Sequence, residues 1–138
     1  MVGMVEQIDA AFERIAAPYV KALNLRVLAA EPGLVRLALP VTPEVCHGGG
    51  VLCGQAMMSA MDIAMVGAMV SYDGGALRPM TTVELHSNFL RPVPADAGEV
   101  TLTGRVIKRG KTLAYGEIEI VGADGKLAAK ASTTYALL

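Results

Sequence analysis

The apolar positions change their period along the chain, and each change marks an element. From Val5 to Ala17 they recur at helical spacing, with Val5, Ile8, Phe12 and Ile15 on one face. Pro18 ends or bends that predicted helix, within an N-terminal helical segment over residues 1–23. From Leu25 the pattern shortens to two strand-like runs, LRVLAAE and LVRLALPV, around Pro32-Gly33, which predicts a hairpin. TPEVCHGGG reads as a loop from its proline and glycines. A long apolar run follows, stopped by Gly74 and Gly75, and predicts a central helix over residues 54–72. The rest reads as four strands. MTTVELHSNFLRPV is closed by Pro92; GEVTLTGRVIKRG and TLAYGEIEIVG flank Arg109-Gly110; KLAAKASTTYALL follows Asp124-Gly125.

This order is α+β. A curved antiparallel sheet wrapped around one long central helix, with an N-terminal helix added, buries the apolar run. The 138 residues suit a single domain over 1–138, with a core that needs no staples. One face of the central helix can stay free to meet a partner subunit.

Charge and cysteines narrow the classes. The net charge of −1 provides no global basic field, which argues against a nucleic-acid partner. Cys46 and Cys53 make no disulfide framework and fit a reducing, cytoplasmic location. The start MVGMVEQIDAAFERI has acids where an export signal has bases. Val51–Val70 is long enough to cross a bilayer. Asp62 would then lie near the bilayer centre at a cost of about 2.5–3.5 kcal/mol, so no membrane span is expected.

Asp62 is the residue that the apolar pattern does not explain. An ionised acid there is costly unless it is solvated or hydrogen-bonded. It is either a working carboxylate or a structural acid held by a neighbouring hydroxyl or across a subunit interface.

The layout, together with HGGGVLCGQAMMSAMDIAM, NFLRPV and RVIKRGKTLAYGEIEIVGADGKLAAKASTTY, resembles the hotdog-fold acyl-CoA thioesterases over about Leu25 to Leu138. The nearest branch in pattern is the phenylacetate-pathway thioesterase-like (PaaI-like) one. That family commonly opens its central helix with His-Gly-Gly, places Asp or Glu nine residues after the His, and has Asn or Gln six residues before it. Two registers fit. Taking His47-Gly48-Gly49 literally starts the helix with three glycines, at about 1 kcal/mol each against Ala. It also puts Ala56, which does no acid–base chemistry, at the carboxylate position. Taking Asp62 as the carboxylate puts Cys53-Gly54-Gln55 in the His-Gly-Gly place and His47 in the amide place. The three glycines then form a loop approaching the helix. The second register is preferred. Cys53 in place of the usual His is a departure from the family.

In this register the resemblance implies hydrolysis of an acyl-CoA thioester to a carboxylic acid and CoA. It implies no metal or organic cofactor, and a homodimer paired through sheet edges, or a dimer of dimers, with sites between subunits. The Gly54 N–H, unpaired at a helix start, would be the oxyanion donor. Asp62, two helical turns on, would be base or nucleophile. His47 would orient the water or thioester, or protonate the leaving thiolate. Gln55 and Ser59 would hold the water. His86 and Asn88, alternating on one side of their strand, would line the acyl pocket from the partner subunit; simple solvation is their alternative. Arg91, Lys108, Arg109 and Lys111 would meet CoA phosphates; exposed turn charges are their alternative. Cys46, His47 and Cys53 lack a fourth ligand and a zinc spacing, so no metal is expected. Two other classes stay open. One is a hotdog protein that binds an acyl-CoA or apolar ligand without cleaving it. The other is a hydratase or dehydratase, which typically carries an Asp/His pair at a different spacing.

Overall fold

The computed structural model describes residues 2–138. Helix α1 (Met4–Ile15) buries Ile8 and Ala11, with Phe12 partly buried against the same core. It ends before Pro18, which opens a further turn, α2 (Pro18–Lys21). Proline suits that first helical position because its missing N–H would have no intrahelical acceptor. This turn falls within the helical segment expected over residues 1–23, with Pro18 marking the bend between its two helices.

Strands β1 (Arg26–Glu31) and β2 (Leu34–Pro40) form the expected hairpin. A 3₁₀ turn at Pro43–Val45 leads to α3 (Gly54–Tyr72). Strands β3 (Met80–Phe89), β4 (Glu99–Arg109), β5 (Leu113–Val121) and β6 (Leu127–Leu137) complete one antiparallel sheet, in the order β1-β2-β4-β5-β6-β3. The first strand after α3 therefore crosses to the far edge and pairs only with β6.

Helix α3 is buried at every position from Ile63 to Ser71. Such a helix needs cover on all sides. The sheet supplies one side through alternating residues: Val35, Leu37 and Leu39 of β2, Leu102 of β4, Ile118 and Ile120 of β5. Helix α1 supplies another, with Ile8 and Phe12 set against Gly67. Two strand glycines let α3 come close. A Cβ on Gly104 would lie 3.2 Å from Ala64 O, and one on Gly116 would lie 2.6 Å from Arg105 O while clashing with the Met65 sulfur.

The C-terminal end of α3 is clamped. Arg109 Nη2 lies 3.2 Å from both Asp73 carboxylate oxygens, with both side chains nearly buried. The Arg109 guanidinium also sits 6.0 Å from the Tyr72 ring centre. The N-terminal half stays more open: Gln55 and Met58 are exposed, and Gly54, Ser59 and Asp62 are half-buried. Strand β3 is exposed along most of its length. Among the described residues no helix is long and apolar enough to cross a membrane.

Candidate functional site

The start of α3 is built from a short loop and an unusual cap. His47 N–H donates to Val51 O at 3.1 Å, and Gly50 N–H to His47 O at 3.0 Å. Gly50 needs its φ of 81° to close this turn, a region glycine enters without strain. The triple glycine is thus the loop before the helix. The Gly49 N–H donates to His47 Nδ1 at 2.8 Å. With Nδ1 accepting, the neutral ring carries its proton on Nε2. Cys53 is the N-cap: its sulfur accepts the Ala56 N–H at 3.4 Å, where a serine or aspartate oxygen is the usual acceptor. The Gly54 and Gln55 N–H groups have no acceptor among the described residues. They lie at the positive end of a 19-residue helix. An open groove in front of Gly54 is bordered by His47, Phe89, Leu90 and Arg91.

Asp62 lies two turns along α3. Thr82 Oγ1 donates to its Oδ1 at 2.9 Å, and Tyr135 OH donates to the same oxygen at 2.6 Å. The phenol also lies 2.9 Å from the Asp62 backbone carbonyl. Oδ2 accepts no bond among the described residues. Thr82 and Tyr135 are direct cross-strand partners of β3 and β6, so their side chains share a face. A bulge at Val83 follows immediately and re-aims the rest of β3. Burial, then the charge of Asp62, push the Tyr135 phenol well above its ordinary value, so it is a donor at any physiological pH. Ser59 Oγ donates to Gln55 O at 2.9 Å and is hydrogen-bonded to the Tyr19 hydroxyl at 3.1 Å. A second groove, bounded by Ile15, Val20, Ile63 and Val66, opens beside Asp62.

Chemically, the two features complement each other. One offers an unpaired N–H to a developing oxyanion. The other offers a carboxylate oxygen that can attack or take a proton. Within one protomer they are eight residues apart, about 12 Å along the helix axis. That is too far for both to touch one carbonyl group.

Other expected site residues are placed differently. His86 pairs with Ser132 and Asn88 with Lys130, whereas Thr133 and Tyr135 face the helix. His86 and Asn88 therefore project from the outer face of the sheet, away from Asp62 and Gly54. They share one side, as expected, and it is the outer one, because Leu85 and Ser87 take the inner face beyond the Val83 bulge. Arg109 is engaged by Asp73 and is not free for a phosphate. Lys108 and Lys111 are exposed, but they stand near the Arg109 hairpin at the far end of α3 from Gly54. Arg91 alone of the four basic residues borders the Gly54 groove. Thr82 and Tyr135 were not singled out in the sequence. The signal for Tyr135 was a phenol on the inward phase of Ala131-Thr133-Tyr135, but its pairing with Asp62 depends on β6 lying beside β3. Among the described residues no group of three or more His, Cys, Asp or Glu side chains is gathered to hold a metal.

Comparison with known proteins agrees with this fold. Residues 46–129, which include Gly54 and Asp62, match the family profile described as thioesterase superfamily. A Saccharolobus solfataricus protein with a provisional esterase name is 36% identical over 118 residues, covering 86% of this chain and 81% of that one. The acyl-coenzyme A thioesterase 13 of Homo sapiens is 29% identical over 125 residues, covering 89% and 82%. A conserved protein of Pseudomonas aeruginosa superposes with a TM-score of 0.82 at 34% identity, over 93% of this chain and 99% of that one. The PaaI protein of E. coli, from the phenylacetic acid degradation operon, shares the fold with a TM-score of 0.82 at 22% identity, over 99% and 96% of the two chains. The chain belongs to the hotdog-fold thioesterase superfamily.

Proposed function

We propose that the protein hydrolyses acyl-CoA thioesters to a carboxylic acid and CoA, at sites each completed by two protomers. The observation that carries this reading is the position of both chemical features beside the open edge strand. Phe89, at one end of β3, packs over Gly54, and Thr82, toward the other end, holds Asp62. An unpaired edge is a template for another strand. Antiparallel pairing of β3 with its copy, about a two-fold axis near Leu85 and His86, would set Phe89 opposite the partner's Thr82. Gly54 of one protomer would then face the partner's Asp62 across a single thioester. Self-association as a homodimer, or as a dimer of dimers, is part of this reading.

The thioester oxygen accepts the Gly54 N–H as negative charge develops on it. Asp62 Oδ2 then has two routes. It attacks the carbonyl carbon, expels the CoA thiolate and leaves a mixed anhydride that water cleaves. Alternatively, it takes a proton from a water that attacks directly. Both routes consume one water and release the acid and the thiol. His47, with its proton on Nε2, supplies a donor to the thioester or its leaving sulfur. Arg91 meets the phosphates at the groove mouth, and Lys108 and Lys111 reach a site only from the partner subunit.

The test is thiol release from short, medium, long and aryl-acetyl CoA esters by wild type, Asp62→Asn and Gly54→Pro. Proline removes the N–H at a first helical position, where it is tolerated, and Cys53 already has the extended backbone that precedes proline. Each variant is expected to lose about 10²-fold or more in kcat. Wild-type rates in Asp62→Asn would contradict the mechanism. Binding without turnover by the wild type would favour the non-catalytic ligand-binding reading.

A further inference from the structure

We propose that Tyr135 is the positioning residue of Asp62: its phenol holds Oδ1 so that Oδ2 is the oxygen presented to the groove. The effect on rate rests on the thioesterase reading above; the effect on the carboxylate does not. A carboxylate has two equivalent oxygens, and a half-turn about its last bond exchanges them. Here both donors arrive from the sheet side and take the same oxygen, Tyr135 at 2.6 Å and Thr82 at 2.9 Å. That removes the equivalence and leaves the uncompensated charge on Oδ2.

The two donors are not equal. Thr82 is exposed on an edge strand beside a bulge. Tyr135 is 3% exposed on β6, which is paired on both sides, to β3 and to β5. Its β5 partner is Ala114, small enough to leave the ring its place on the inner face. A phenol has few rotatable bonds, so the backbone of β6 fixes where the hydroxyl lies. Its second contact, 2.9 Å from Asp62 O, ties it to the helix backbone as well as to the side chain. The other groups facing Asp62 carry no charge: Val20 from the N-terminal segment, and Ser59, Ile63 and Val66 from α3 itself. Among the described residues lining that groove, Tyr135 is the one titratable neighbour of Asp62.

The experiment compares wild type with Tyr135→Phe and Thr82→Val. It reads the thermal midpoint, the Asp62 carboxylate ¹³C resonance at neutral pH, and kcat and KM separately. In a folded Tyr135→Phe that resonance is expected to move toward the position of a free carboxylate, because a donor to Oδ1 is lost. For an acyl-CoA that the wild type turns over, kcat is expected to fall by about 10- to 100-fold with KM within about twofold. Thr82→Val is expected to move both in the same direction by less, and Thr82→Ser to restore them. An unchanged resonance and kcat in folded Tyr135→Phe would overturn the proposal. Absence of thioester turnover in the wild type would overturn the thioesterase reading alone, since the NMR resonance still decides the carboxylate. If Tyr135→Phe does not fold, 3-fluorotyrosine at position 135, a stronger donor of nearly the same size, is expected to move the resonance the opposite way, further from that of a free carboxylate. No change would overturn the proposal.

Discussion

Cys53 illustrates how much one atom can do at a helix start. Its sulfur accepts the Ala56 N–H, but at 3.4 Å and from a weak acceptor. Oxygen is the better cap, so Cys53→Ser is expected to stabilise the protein by up to about 1 kcal/mol with activity kept. Urea unfolding together with thiol release checks this. Loss of turnover with a stable fold would instead make the thiol a chemical participant. Tyr135 gives a pH prediction with a definite sign. Its folded-state value is raised, so its contribution is complete below the ordinary phenol value of 10.0 and is lost as pH rises further. The stability difference between wild type and Tyr135→Phe should therefore be constant up to about pH 10 and shrink above it. A difference that stays flat through that range would contradict the assignment. Asp62 and Gly54 were legible in the sequence because a lone acid and a starting glycine stand out in an apolar run. Tyr135 and Thr82 were not, because their meeting with Asp62 depends on strands about fifty residues apart becoming neighbours. Arg109 was misread for a similar reason: a turn cation reads as solvated until the hairpin curls onto the end of α3 and Asp73 captures it.

At the level of elements, α3 organises the rest. Its apolar surface is uninterrupted over its C-terminal half because sheet and α1 enclose it, and it opens only toward Gly54 and Asp62. The enclosure depends on α3 backbone lying against Gly104 and on the Met65 side chain lying against Gly116. At Gly116 a methyl group would meet Arg105 O at 2.6 Å, and backbone cannot swing aside as a side chain can. Gly116→Ala is expected to cost about 1–3 kcal/mol, read as a lower midpoint in urea with little change in slope. A variant as stable as wild type would mean that β4 and the Met65 side chain lie less closely against Gly116 than described. The six strands, the positions of α1 and α3, and the three hairpin turns followed from periodicity and from Pro-Gly, Arg-Gly and Asp-Gly pairs. Two features did not. Pro18 begins a helical turn as readily as it ends one, and sequence alone does not choose. A single extra residue at Val83 accompanies the outward turn of His86 and Asn88, and nothing in the alternation of β3 announces such a bulge.

At the scale of the whole molecule, the proposed function gives each protomer two half-sites. An N–H donor and a carboxylate about 12 Å apart on one helix serve different substrate molecules unless a second copy supplies the missing half. The edge strand β3 lies against both, exposed and unpaired on one side, which is why the fold and the proposed chemistry point to the same surface. The most direct measurement mixes Gly54→Pro with Asp62→Asn, each expected to be about 10²-fold or more impaired alone, by joint unfolding and refolding at equal concentration. In a mixed dimer one site would combine two intact halves and the other two damaged ones. Random mixing makes about half of the dimers mixed, each with one complete site of two, so about a quarter of wild-type activity should return. A mixture no more active than the sum of its two parents would contradict the shared site.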